Sequence, residues 1–120
     1  MIDHIGLRTK EFAAMSAFYE ALLPPLGYSK IISFEGNAGF GDSNGPAFWV
    51  HASTKTASSV HIAFKAASRT AVDDFHAAAL VQRGTDNGAP GLRPDYGPGY
   101  YAAFVIDPDG NNLEAVCRDP

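Results

Sequence analysis

Three residues of this 120-residue chain have side chains that bind metal ions and interrupt otherwise strand-like apolar sequence. His4 stands in DHIGLR (Asp3 to Arg8), His61 in VHIAFK (Val60 to Lys65) and Glu114 in NLEAVC (Asn112 to Cys117). A lone histidine on an apolar strand is more often a hydrogen-bonded core residue than a ligand. Here the pattern repeats. Sliding the sequence by 57 residues lays His4 on His61, Ile5 on Ile62, Phe18 on Phe75 and Gly27 on Gly84. Strand alternation puts Ile5, Leu7, Ile62 and Phe64 on a face suited to helix packing and both histidines on the other, beside small residues such as Gly6 and Ala63. A carboxylate in a strand is costly unless exposed, paired or metal-bound. By the same parity Glu114 faces away from Leu113 and Ala115. Two imidazoles and one carboxylate form a facial triad that leaves coordination positions open, as chemistry on iron, manganese, nickel or zinc requires.

The elements that must position these residues also repeat. Each half reads as strand, helix, then three strands. The first half runs to about residue 54: strand Ile2 to Arg8, helix Lys10 to Leu23, strand Tyr28 to Glu35, and a hairpin of Ala38 to Gly41 with Ala47 to Ala52 around DSNG (Asp42 to Gly45). Phe12, Met15, Tyr19 and Leu22 recur at helical spacing, and Pro24 and Pro25 end that helix. The second half, from about 58 to 120, has a strand Val60 to Lys65 and a helix Ser68 to Arg83. Strands Tyr100 to Ile106 and Asn112 to Cys117 then flank the turn DPDGN (Asp107 to Asn111). Thr85 to Gly99, with four glycines and three prolines, reads as an irregular strand or a loop over the site. In it Arg93 reads as solvated rather than as a contact for an acidic substrate group. Past the helix the repeat offset becomes 65, which pairs Asp42 with Asp107, Gly45 with Gly110 and Trp49 with Glu114. Two copies, each about half the chain, indicate duplicated modules within one domain rather than a solenoid.

Bulk properties narrow the partners. Apolar residues make up 46% and charged residues 18%, a globular composition. A net charge of −4 without a basic cluster argues against nucleic acid. No apolar run approaches the roughly 20 residues that span a bilayer. The opening lacks a basic n-region and apolar h-region, which points to a cytoplasmic protein. Cys117, the only cysteine, reads as a small buried hydrophobe. DPDGNNLE has its glycine fourth and its glutamate eighth, which rules out an EF-hand loop. GFGDSNG opens no helix and reads as a hairpin.

DHIGLRTKEFAAMSAFYEALLPPLGY and YYAAFVIDPDGNNLEAV resemble the vicinal oxygen chelate superfamily, which includes glyoxalase I, bleomycin-resistance proteins and extradiol dioxygenases. The resemblance covers essentially the whole chain. It implies an α+β fold of two βαβββ modules forming a cupped mixed sheet with helices outside. It implies a divalent metal on His4, His61 and Glu114. Trp49 departs from the pattern, because glyoxalase I members typically place a carboxylate ligand there. The remaining ligand set is similar to that of the extradiol dioxygenases. His51 shares the face of Trp49 and reads as a proton shuttle, an extra ligand or a rim histidine. Trp49 and Tyr101 are candidates for the wall of a substrate pocket. The function implied is lyase, isomerase or dioxygenase chemistry on a small molecule with adjacent oxygens, with Glu114 or His51 moving protons. The alternative is a metal-free binding protein of the bleomycin-resistance type. Superfamily modules pair either within a chain or across a dimer, and a homodimer is expected because exposed sheet edges need cover.

Overall fold

The computed structural model describes residues 1–56 and 59–118. The expected start of the second half at 58 and its end at 119 and 120 lie outside the described residues. The first half comprises strand β1 (Ile5–Thr9), helix α1 (Phe12–Leu22), and strands β2 (Ser29–Phe34), β3 (Asn37–Asp42) and β4 (Gly45–Ala52). The second comprises β5 (His61–Lys65), α2 (Arg69–Val81), β6 (Thr85–Leu92), β7 (Tyr101–Ile106) and β8 (Asn112–Cys117). Each half is a βαβββ module with a four-stranded mixed sheet, in the orders β1-β4-β3-β2 and β5-β8-β7-β6. The long glycine- and proline-rich stretch is thus partly strand. Positions where β6 skips register against β7 absorb its irregular backbone.

The repeat read from the sequence extends to the residue pairing. Ile5 pairs with Phe48 and Gly6 with Trp49 in the parallel β1–β4 ladder. In β5–β8 the equivalent pairs are Ile62 with Leu113 and Ala63 with Glu114. A one-residue slip would send every apolar side chain to the wrong face, so burial holds this register. Leu7, Phe48 and Val50 of the first sheet and Leu113 and Ala115 of the second are buried on the helix-facing side.

Helix α1 forms because Met15, Phe18, Tyr19 and Leu22 give it one continuous buried stripe. Pro24–Leu26 continue as a short 3-10 turn, closed by Gly27 at φ +93°. Helix α2 is capped by the Ser68 side chain, which accepts from Ala71 N at 3.1 Å. The two helices pack on each other, α1 against β4 and α2 against β6, β7 and β8. One core joins the modules. Phe48 and Phe64 meet edge to face with ring centroids 5.6 Å apart. The fully buried Tyr19 hydroxyl donates to Asp107 Oδ2 in the β7–β8 turn at 2.5 Å. With the helix faces sharing that core, each sheet turns its other face outward. The open face of the first sheet carries Trp49 and His51, and that of the second His61 and Glu114.

Candidate metal centre and ligand cleft

On the open face of the second sheet, His61 opens β5 and Glu114 lies mid-β8, two residues beyond Asn112, the cross-strand partner of His61. Glu114 is 3% exposed, although it belongs to an open face. Its two oxygens are both engaged. Oε1 lies 3.1 Å from His61 Nε2, and Oε2 accepts from the Tyr100 hydroxyl. His61 Nδ1 is 3.1 Å from the backbone carbonyl oxygen of Asn112. A carbonyl can only accept, so Nδ1 carries a proton and Nε2 faces the Glu114 carboxyl group. A proton or a metal ion shared between the two atoms accounts for that distance. The 3.1 Å separation also matches adjacent ligands each about 2.1 Å from one ion. A histidine that donates its far N–H to a carbonyl, beside a carboxylate that is itself hydrogen-bonded, has the supports that orient metal ligands.

Partial burial and the hydrogen bond to Glu114 push the Tyr100 hydroxyl up to about 12. It therefore stays a donor throughout the neutral range. Arg118 lies over its ring at 4.8 Å and Tyr96 packs against it edge to face. The sequence marks Tyr100 only as the start of a strand. Its link to Glu114 joins the start of β7 to the middle of β8, and no sequence spacing signals it.

His4 does not join this pair. It was expected inside the first strand, but β1 begins at Ile5, and His4 stands just before it with its side chain 58% exposed. Its Nδ1 is 2.7 Å from Asp3 Oδ1. Among the described residues no three histidine, cysteine, aspartate or glutamate side chains converge as a metal site. The physical reason is where the elements lie: His4 precedes β1 of the first sheet, whereas His61 and Glu114 stand in the second, separate sheet. Within one chain two of the three expected ligands fit an ion, and the third is missing.

The first sheet carries a cleft of about 730 Å³, lined among others by His4, Phe34, Asn37, Asp42, Trp49 and His51. Trp49 and His51 stack at 5.8 Å, nearly parallel. His51 Nδ1 lies 2.7 Å from Asn37 Oδ1, which fixes the ring, and its Nε2 points toward Gly6. Trp49 holds the position equivalent to Glu114, and the reason is local. A Cβ on Gly39 would fall 2.9 Å from the indole, so glycine there leaves space for the ring. In the second sheet Phe104 holds the Gly39 position beside Glu114. Each open face thus has one large aromatic over the same strand pair, on opposite strands. Tyr101, expected in the pocket wall, lies on the helix-facing side instead. Its hydroxyl donates to Asp73 Oδ1 at 2.7 Å, because Tyr101 alternates with the open-face residues Ala102 and Phe104. His76, given no role from sequence, lies 2.9 Å from Asp86 Oδ1.

No helix among the described residues is long and apolar enough to cross a membrane. No family model and no curated protein matches the sequence. Solved structures do. A glyoxalase/bleomycin resistance protein from Albidiferax ferrireducens is 27% identical, with 97% of both chains covered and a TM-score of 0.82. A glyoxalase/bleomycin resistance protein/dioxygenase family enzyme from Burkholderia phytofirmans is 20% identical, with 98% of both covered and a TM-score of 0.74. Lactoylglutathione lyase from Agrobacterium tumefaciens is 16% identical, with 98% of this chain and 92% of that one covered and a TM-score of 0.69. The chain therefore has the fold of the vicinal oxygen chelate superfamily, as its opening and closing segments implied.

Proposed function

We propose that the protein is a metal-dependent enzyme acting on a small molecule with two adjacent oxygens, and that its site is completed by a second copy of the chain. The observation that carries this reading is His61: its Nδ1–H is spent on a backbone carbonyl, while Nε2 faces a buried carboxylate at 3.1 Å. His4 has the matching arrangement, with Nδ1 on Asp3 and the other ring nitrogen unengaged. The first sheet of one copy laid over the second sheet of another would bring His4 to His61 and Glu114. Ile32 and Phe34 on the first sheet and Tyr96 in the 3-10 turn between β6 and β7 are exposed apolar groups suited to that closure.

A bound divalent ion supplies Lewis acidity toward the chelated substrate oxygens. The chain's own residues do the rest. Tyr100 holds Glu114 in one rotamer and keeps its proton at neutral pH. His51, fixed by Asn37 and stacked on Trp49, offers Nε2 as a proton acceptor on the facing sheet. The reading covers lyase, isomerase and dioxygenase chemistry.

Elemental analysis of protein purified without a histidine tag tests the reading. About one metal per chain, lost in His61→Ala with the fold intact, is the expected result. Absence of metal after reconstitution would overturn it. A second reading, a metal-free ligand-binding protein, is favoured by one observation: the aromatic cleft at Trp49 is already formed within a single chain. Metal-free protein whose Trp49 fluorescence responds to small aromatic ligands would establish that reading.

A further inference from the structure

Arg93 lies between β6 and β7, where sequence suggested a solvated side chain. The structure instead holds it in place. Its backbone N–H donates to the Tyr100 carbonyl at 2.8 Å, and its own carbonyl accepts from Tyr96 N at 3.0 Å. The guanidinium folds back over β6. Nη2 donates to the Ala89 carbonyl at 2.7 Å, and the group sits 5.5 Å from the centre of the Phe104 ring. Two glycines make room for it. A Cβ on Gly88 would lie 3.2 Å from Nη2, and one on Gly91 3.2 Å from Nη1. Among the described residues Arg93 has no ion pair. The guanidinium is thus held over Phe104 with no carboxylate paired to it among the described residues.

Its location says what partner. Phe104 stacks on His61 from its other side, with centroids 6.3 Å apart and planes within 24°. Phe104 is also the direct cross-strand neighbour of Glu114. Arg93, Phe104 and the His61–Glu114 pair therefore form one strip across the open face, a single aromatic ring wide between cation and ligands. A guanidinium fork pairs best with a planar carboxylate through two parallel hydrogen bonds.

We propose that Arg93 is a specificity residue that binds a carboxylate on the substrate, with the substrate body crossing the partly exposed outer edge of Phe104 and its two adjacent oxygens at His61 and Glu114. This rests on the reading of His61 and Glu114 as metal ligands. The substrate class it selects is a vicinal oxygen chelator bearing a carboxylate about one ring away.

The test is calorimetric titration of 3,4-dihydroxybenzoate and of catechol into the full-length protein, with and without Mn²⁺, for wild type and Arg93→Gln. Wild type should bind the carboxylate-bearing probe about tenfold or more tightly, and Arg93→Gln should level the two affinities. Metal content measured in parallel separates the two readings. If no metal binds, the ligand assignment fails, and Arg93 is then judged on the metal-free protein. There it should still favour the carboxylate probe, and Arg93→Gln should abolish that preference. Equal affinities in wild type, no binding of either probe, or a preference that survives Arg93→Gln would overturn the proposal.

Discussion

At the scale of single residues, the His61–Glu114–Tyr100 chain has a consequence that needs no substrate. Partial burial and the hydrogen bond to Glu114 push the Tyr100 hydroxyl up to about 12, and those of Tyr19 and Tyr101 are also raised, Tyr19 by burial and Tyr101 by its hydrogen bond to Asp73. Of the five tyrosines, three should thus ionise late. In the unfolded chain these groups ionise near the usual value of about 10. Above that pH the unfolded state has released protons that the folded state retains, so stability falls as pH rises from about 10. Absorbance titration of tyrosinate should show the late fraction, and Tyr100→Phe should remove part of it while leaving the near-neutral stability plateau in place. Gly39→Ala tests the other face. Its Cβ would meet the Trp49 ring at 2.9 Å, so overpacking should cost about 1–3 kcal/mol and shift the emission of the single tryptophan. The Trp49–Glu114 equivalence was legible in the sequence because the offset of 65 is unbroken through both hairpins. The contacts of Tyr100 and Arg93 were not, because Arg93 lies within a stretch with no periodicity and Tyr100 directly follows it.

At the scale of elements, the two caps and turns that end the helices and hairpins carry unequal weight. Removing the Ser68 side chain leaves the Ala71 N–H without its partner, and Ser68→Ala should cost about 1 kcal/mol in denaturant unfolding. Asp107 does more. Its Oδ1 accepts from Asp109 N and Asn111 N, both at 2.9 Å, and its Oδ2 from Asn111 Nδ2 and the Tyr19 hydroxyl. Tyr19→Phe removes one of these four bonds and should cost about 1–2 kcal/mol. Asp107→Ala strands several buried donors at once and should cost clearly more in the same assay. The DPDGN turn was legible from its proline and glycine. That its aspartate fastens the other module's helix was not, since the partner lies 88 residues away.

At the scale of the whole molecule, the separation of the two open faces predicts a dependence on a second copy. If His4 of one copy serves His61 and Glu114 of another, His4→Ala and His61→Ala variants should each lack metal, yet regain some when unfolded and refolded together. Random pairing gives half of the dimers mixed, each with one intact site, so about one quarter of the wild-type metal should return. No recovery, with mixed dimers demonstrated by differential labelling, would exclude a shared site. Phe34→Glu, which places a charge on the exposed apolar edge of the first sheet, should lower the sedimentation coefficient toward that of a monomer and release metal.

The sequence by itself determined the module, its duplication and the strand parity of the chemical residues. These depend on local patterns: alternation, a helical stripe, a proline stop and a turn repeated at constant offset. It also determined that His61 and Glu114 share a face, because both lie in strands whose apolar neighbours must meet a helix. Three things depended on tertiary structure. The parallel β5–β8 register brings His61 to Glu114, a long-range pairing that no local spacing encodes. Strand boundaries put His4 outside β1 and Tyr101 on the helix side, where one residue of phase decides the face. The packing of α1 on α2 turned the two sheets' open faces apart, because two amphipathic layers bury most surface when their helix faces share one core.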